Sequence, residues 1–142
     1  MTKDLTAACS LLSSGNYTCV VCHDEIIHTA TDRGVKPLLN WLEAGLNLQG
    51  FSAADRVVGR ATAFLYVLLG VKEVYAHVMS RPAAEVLAAH SITAHPGKLV
   101  DGIINRRGDG PCPFEAAVLE ITEPTAALEA FRAKRIQLLG GN

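Results

Sequence analysis

A layered α/β domain, an α-β-α sandwich over a mixed sheet that opens with an antiparallel hairpin, is the fold class this chain predicts. Three observations carry that expectation. Apolar runs rich in β-branched residues alternate along the chain with stretches of helical periodicity. The composition is 49% hydrophobic and 19% charged, which suits strands covered on both faces. The length, 142 residues, is near the commonest domain size, so one core can form without disulfides or a metal. Residues 1–142 are therefore read as a single domain.

The elements follow in order. Asp4 caps a short helix through Leu11 and Leu12 that ends near Gly15. Tyr17 to Cys22 forms a strand, His23-Asp24 a tight turn, and Glu25 to Thr31 the second strand of a hairpin that Gly34 closes. Pro37 in a first turn, then Leu38, Leu39, Trp41 and Leu42, predicts a helix ending at Gly45. From Ser52, a good N-cap, the residues Val57, Ala61, Phe64, Leu65 and Leu68 recur at helical spacing as far as Gly70. One helix is expected over that span. Its second half is apolar all round and buried, while Asp55, Arg56 and Arg60 of its first half edge a cleft or the surface.

Val71 to Met79 then reads as a central strand, and Ser80-Arg81-Pro82 as a cap and first-turn proline for a helix over Ala83 to Ala89. Leu99 to Ile104 supplies the next strand. Pro113 starts a short helix, and Pro124 a terminal covering helix with Leu128, Phe131, Ile136 and Leu139.

A formal net charge of -1 removes any general electrostatic argument for nucleic acid or an anionic membrane as partner. The first residues lack a basic leader followed by an apolar run, and no later apolar stretch is long enough to span a bilayer, so a cytoplasmic location is expected. Four cysteines in that setting read as reduced thiols, Cys9 on a helix face of the core. Apolar helix faces fit a sheet or a second copy equally well, so a homodimer is compatible with the sequence.

Polar chemistry concentrates in Asn105 to Glu115, where a turn, two cations and a thiol precede a helix start. Pro113 suits a first helical turn, which puts Cys112 at or near the N-cap and Glu115 inside the turn. A thiol in that field, beside Arg106 or Arg107, favours the thiolate. The same residues read equally well as a rigid apolar helix start with a buried inert thiol, Glu115 merely capping N–H groups.

The pattern as a whole resembles the cytidine-deaminase-like fold, and more closely an uncharacterised bacterial family assigned to that fold without its zinc site. The resemblance rests on Gly34-Val35-Lys36-Pro37-Leu38-Leu39, on Ala54-Asp55-Arg56-Val57-Val58-Gly59-Arg60-Ala61, on Val74-Tyr75-Ala76, on Ser80, on Asn105-Arg106 and on Cys112-Pro113-x-Glu115. Zinc deaminases need a His or Cys and a Glu on one helix and paired cysteines at the start of the next. Here those places read Val58-Gly59-Arg60-Ala61-Thr62 and Ser80-Arg81-Pro82-Ala83-Ala84-Glu85-Val86. No metal and no cofactor are therefore expected.

The resemblance implies a cleft gathering Asp55, Arg60, Ser80, Asn105, Arg106, Cys112 and Glu115 for a small polar or anionic, nucleotide-like ligand. Arg60 and Arg106 suit a phosphate or carboxylate, Asn105 an amide or base edge, and Asp55 a guanidinium. The alternative is an enzyme with Cys112 as nucleophile and Glu115 in proton transfer. A zinc-dependent deaminase ranks below both.

Cys19-Val20-Val21-Cys22-His23 spells the c-type haem attachment pattern, but a Val-Val strand core is not an exposed attachment peptide. A zinc site of these residues with His28 needs a bent strand, since alternate side chains face opposite ways. Core and turn roles are expected instead. His77 reads as a strand residue, His90 as a helix end and His95, beside Pro96, as part of a loop.

Overall fold

A computed structural model of the chain describes residues 2–32, 35–103, 113–118 and 120–139. Its helices are α1 (Lys3–Ser14), α2 (Lys36–Glu43), α3 (Arg60–Leu69), α4 (Arg81–Ala89), α5 (Pro113–Ala117) and α6 (Pro124–Leu139). Its strands are β1 (Cys19–His23), β2 (Ile26–Ala30), β3 (Ser52–Val58), β4 (Glu73–Ser80) and β5 (Thr93–Val100). Among the described residues they form one five-stranded sheet in the order β2-β1-β3-β4-β5. The sheet is mixed: β1 is antiparallel to β2 and β3, and β3, β4 and β5 run parallel.

The hairpin is the expected one. Its register runs from Cys19↔Ala30 to His23↔Ile26, and the turn between holds Asp24 at φ 53°, a left-handed conformation that a short polar side chain tolerates.

Helices cover both faces of the sheet. On one face α1 buries Leu5, Ala8 and Leu12, the last two clustered with Val20, Cys22 and Ala54. On the other, Cys19, Val21, Ala53, Val74 and Ala76 meet Leu38 and Leu39 of α2, Phe64 and Leu65 of α3 and Leu87 of α4. Cys19 and Cys22 thus lie in different clusters on opposite faces, as strand alternation requires. The terminal helix α6 packs against α3 through Ala127 and Phe131, whereas Ile136, expected among its covering residues, is exposed. No helix among the described residues is long and apolar enough to cross a membrane.

The largest departure from expectation lies between Ser52 and Gly70, where the structure holds a strand and a helix in place of one helix. The apolar spacing that suggested a continuous helix straddles the break at Gly59. Ser52, Ala53, Ala54 and Asp55 are all buried, because β3 is a central strand bonded to β1 and β4 and sandwiched between α1 and α3. Close packing on both faces selects small residues there, and tertiary pairing overrides the helical propensity of Ala-Ala. Ser52 consequently caps nothing; its hydroxyl donates to Glu73 Oε2 at 2.7 Å.

Three smaller corrections have equally local causes. The N-cap of α1 is Thr2, whose hydroxyl accepts the Leu5 N–H at 3.1 Å, with Asp4 inside the first turn. The last strand starts at Thr93 rather than Leu99 and contains Pro96. A proline hides a strand from sequence reading, yet β5 is a sheet edge, where a missing N–H costs no ladder bond. His95 therefore belongs to a strand and not a loop. Gly34, expected to close the hairpin, and Ile104, the expected end of the last strand, lie outside the described residues.

Candidate functional site

Two helices begin side by side where adjacent parallel strands end: β3 passes through Gly59 into α3, and β4 ends at Ser80, the N-cap of α4. Such carboxyl edges are where ligands of open α/β sheets bind. The two starts are finished differently. Ser80 is buried, and its hydroxyl accepts the Ala83 N–H at 3.1 Å, an ordinary local cap.

The start of α3 has no local side-chain cap, and its first amides are satisfied from a distance. The Glu115 carboxylate, carried by α5, accepts the Arg60 N–H at 2.8 Å and the Ala61 N–H. Arg60 reaches back: its Nε donates to the Val118 carbonyl at 3.1 Å and its guanidinium also bonds the Ile121 carbonyl. The guanidinium carbon stands 5.2 Å from the centre of the Phe64 ring, a cation–π distance. Gly59 makes the seat possible, because a Cβ at that position would stand 2.4 Å from Glu115 Oε1 and 2.9 Å from Ile103. Burial raises the Glu115 pKa, against the lowering effect of the Ala61 and Arg60 amides and the Arg60 charge.

Of the residues expected in one cleft, the structure joins Arg60 and Glu115 in this reciprocal clip. Asn105, Arg106 and Cys112 lie outside the described residues, which break off after Ile103, near Gly59 in space, and resume at Pro113, two residues before Glu115. Ser80 lies at the same edge of the sheet as Arg60 but spends its hydroxyl on α4.

Asp55 faces elsewhere, into the core beneath α3. Tyr66 donates its phenol to Asp55 Oδ2 at 2.7 Å, and the Arg56 N–H bonds Oδ1 at 2.8 Å. Cys19 Sγ lies 3.0 Å from the Tyr66 oxygen, and with the phenol hydrogen committed to Asp55 the thiol is left to donate. Burial pushes the Asp55 pKa up to about 6, against hydrogen bonds from Tyr66, the Arg56 and Val57 amides and Cys19. It raises the Cys19 thiol too, with the Asp55 charge adding to the effect, so Cys19 is a proton holder and not a nucleophile.

Sequence reasoning missed a second polar line on the α1 face. Glu73 is buried at the start of β4, where Ser52 and Thr2 donate to Oε2 and His95 Nε2 lies 3.2 Å from Oε1. Burial alone would raise its pKa, but the bonds from Thr2, Ser52 and His95 outweigh it and the net shift is downward. Beside it the Tyr75 hydroxyl lies 2.8 Å from His77 Nδ1. Strand alternation placed 73, 75 and 77 on one face from sequence; His95 joined them only through the hidden strand β5.

The first turns of α3 and α4, Arg60-Ala61-Thr62 and Arg81-Pro82-Ala83, offer no imidazole, thiolate or carboxylate to a metal. What the carboxyl edge offers is amides, a guanidinium and a protonatable carboxylate, a set suited to holding a carboxylate or phosphate.

Comparison with known proteins gives one family. The family described as "Domain of unknown function (DUF1893)" matches residues 7–134. The crystal structure of a DUF1893 family protein from Thermotoga maritima superposes with a TM-score of 0.86 at 23% sequence identity, covering 94% of this chain and 92% of that one. At that identity the likeness speaks for the fold. No curated protein matches the sequence.

Proposed function

This chain belongs to the DUF1893 family, and on that premise we propose that it is a cytidine-deaminase-like domain that binds a small molecule without zinc. The ligand is polar or anionic and nucleotide-like, and its site is the carboxyl edge of β3, β4 and β5. The observation that carries this reading is the seat at the start of α3. Two amide N–H groups and a bare Cα converge on one carboxylate, with the Arg60 guanidinium close by. Positive potential at a helix N-terminus favours any anion placed there. Glu115 occupies that place in the chain's own structure, and a ligand phosphate or carboxylate would take it over or dock beside it. Asn105 and Arg106, in the segment between Ile103 and Pro113, supply the further polar and cationic contacts. Ser80 serves the site by capping the start of α4, and Asp55 by fixing α3 against β3 through Tyr66.

The test is a thermal-shift series with inorganic phosphate and 5′-mononucleotides on the wild type, Arg106→Ala and Cys112→Ser. Ligands that bind the folded state raise its melting temperature. The expected result is stabilisation that Arg106→Ala removes and Cys112→Ser leaves intact; a shift indifferent to Arg106, or no shift with any of these compounds, overturns the reading.

One observation favours a second reading, an enzyme using Cys112 as nucleophile and Glu115 in proton transfer. The raised pKa of Glu115 makes it a carboxyl group able to carry a proton closer to neutrality. Chemical turnover of a bound nucleotide that stops in Cys112→Ser would establish that chemistry in place of simple binding.

A further inference from the structure

We propose that Asp4, His23 and Asp24 form a binding site for a divalent transition-metal ion of the zinc type, at the end of the sheet opposite the carboxyl edge just described. The position follows from the register: His23 ends β1, and its neighbour Cys22 pairs with Ser52, the first residue of β3.

Two separate pieces of backbone bring the donors together. Asp4 lies in the first turn of α1, His23 closes β1, and Asp24 is the turn residue held at φ 53°. One ligand atom from each lies within 4.8 Å of the other two. The Asp24 N–H bonds Asp4 Oδ1 at 3.1 Å, which turns Oδ2 toward the imidazole, 3.7 Å from His23 Nδ1. That distance is too long for a hydrogen bond. Two donors on a tetrahedral ion with bonds of about 2.0–2.1 Å stand roughly 3.4 Å apart, so a small closing movement would seat an ion between them.

The imidazole itself points to a ligand. His23 Nδ1 is buried and has no hydrogen-bond partner among the described residues, a condition that costs free energy unless something occupies its lone pair. The ring packs against Phe51, at 5.3 Å between ring centres. Asp24 is exposed, with Oδ2 4.0 Å from Nε2, so joining Asp4 on an ion at Nδ1 requires its carboxylate to turn.

One imidazole and two carboxylates balance the charge of a dication and leave a fourth position for water. The nitrogen donor selects zinc, cobalt or a similar ion over magnesium and calcium, which prefer oxygen. A bound ion would tie the start of α1 to the β1–β2 turn.

The experiment is calorimetric titration of the chelator-treated full chain with Zn2+, with Mg2+ and Ca2+ as comparisons and the visible spectrum of Co2+ as a probe of ligand type. The expected result is one Zn2+ per chain, a rise in melting temperature, and a Co2+ spectrum of N/O ligation. Asp24→Asn, at an exposed position where Asn accepts the left-handed backbone, should keep the fold and weaken Zn2+ more than about tenfold, beyond the loss of an outer-shell partner. His23→Gln should abolish binding while circular dichroism stays unchanged. Absence of stoichiometric Zn2+ binding overturns the site, and the cluster is then a plain polar contact of an imidazole with two carboxylates. Binding that survives both substitutions, or Mg2+ binding as tight as Zn2+, overturns it as well, because the ion then sits on other ligands.

Discussion

Asp55 illustrates how one burial decides a residue's chemistry. In sequence it is a carboxylate among arginines and reads as part of a polar cleft; in the fold its pKa is pushed up to about 6 by burial against Tyr66 and Cys19. A carboxyl group whose folded pKa exceeds its unfolded value near 3.8 contributes stability that is complete below the unfolded value and is lost as pH rises through about 6. Relative to Asp55→Asn, the wild type should therefore lose on the order of 3 kcal/mol between pH 4 and pH 7. Urea unfolding of both proteins across that range measures it, and parallel curves would mean that Asp55 is not the titrating group. The residue type was legible beforehand, but its neighbours read as a helix where the structure holds β3. Its partners were not legible, since Cys19 is 36 positions and Tyr66 11 positions away along the chain; strand register brings Cys19 to it and the packing of α3 on the sheet brings Tyr66.

At the scale of the element, α3 shows how a helix can depend on a segment far along the chain for its start. Gly59 supplies room instead of a cap, and Glu115 supplies the carboxylate. Gly59→Ala should cost about 1–3 kcal/mol through overpacking, although its backbone is extended and unstrained. Glu115→Ala should cost about 1–2 kcal/mol as a lost cap. The double variant should cost clearly less than the sum, because the methyl group then has no carboxylate to meet. Additive losses in a chemical-unfolding cycle would separate the two residues. Here the sequence reading had Arg60 and Glu115 as important and related by family pattern, yet it could not see their reciprocity. It placed Gly59 inside a helix, where a glycine is only a weakness, while the structure uses it as the junction between β3 and α3.

For the whole molecule, the sheet is buried from two sides by unlike partners. One face carries the large cluster under α2, α3 and α4, the other a small cluster built on α1. A small cluster has few neighbours able to relax into a void, so Leu12→Ala should cost about 2–5 kcal/mol. Unfolding followed by tryptophan fluorescence, which reports Trp41 on the opposite side of the sheet, and by far-UV circular dichroism should shift together. Separate transitions would show that α1 and its face open independently.

The chain's own pattern determined that strands and helices alternate, that the first two strands form a hairpin, and that Ser80 and Pro124 start helices. These follow from contacts close in sequence: periodicity, caps and turn chemistry act over a few residues. Tertiary structure alone decided that Ser52–Val58 is a strand, that Pro96 sits inside one, and that Glu115 finishes a helix begun 55 residues earlier. Each of these depends on which elements lie on either side. Small residues become a strand because two neighbours hydrogen-bond to them and two layers press on them, and a proline is accepted because β5 is the edge of the sheet among the described residues.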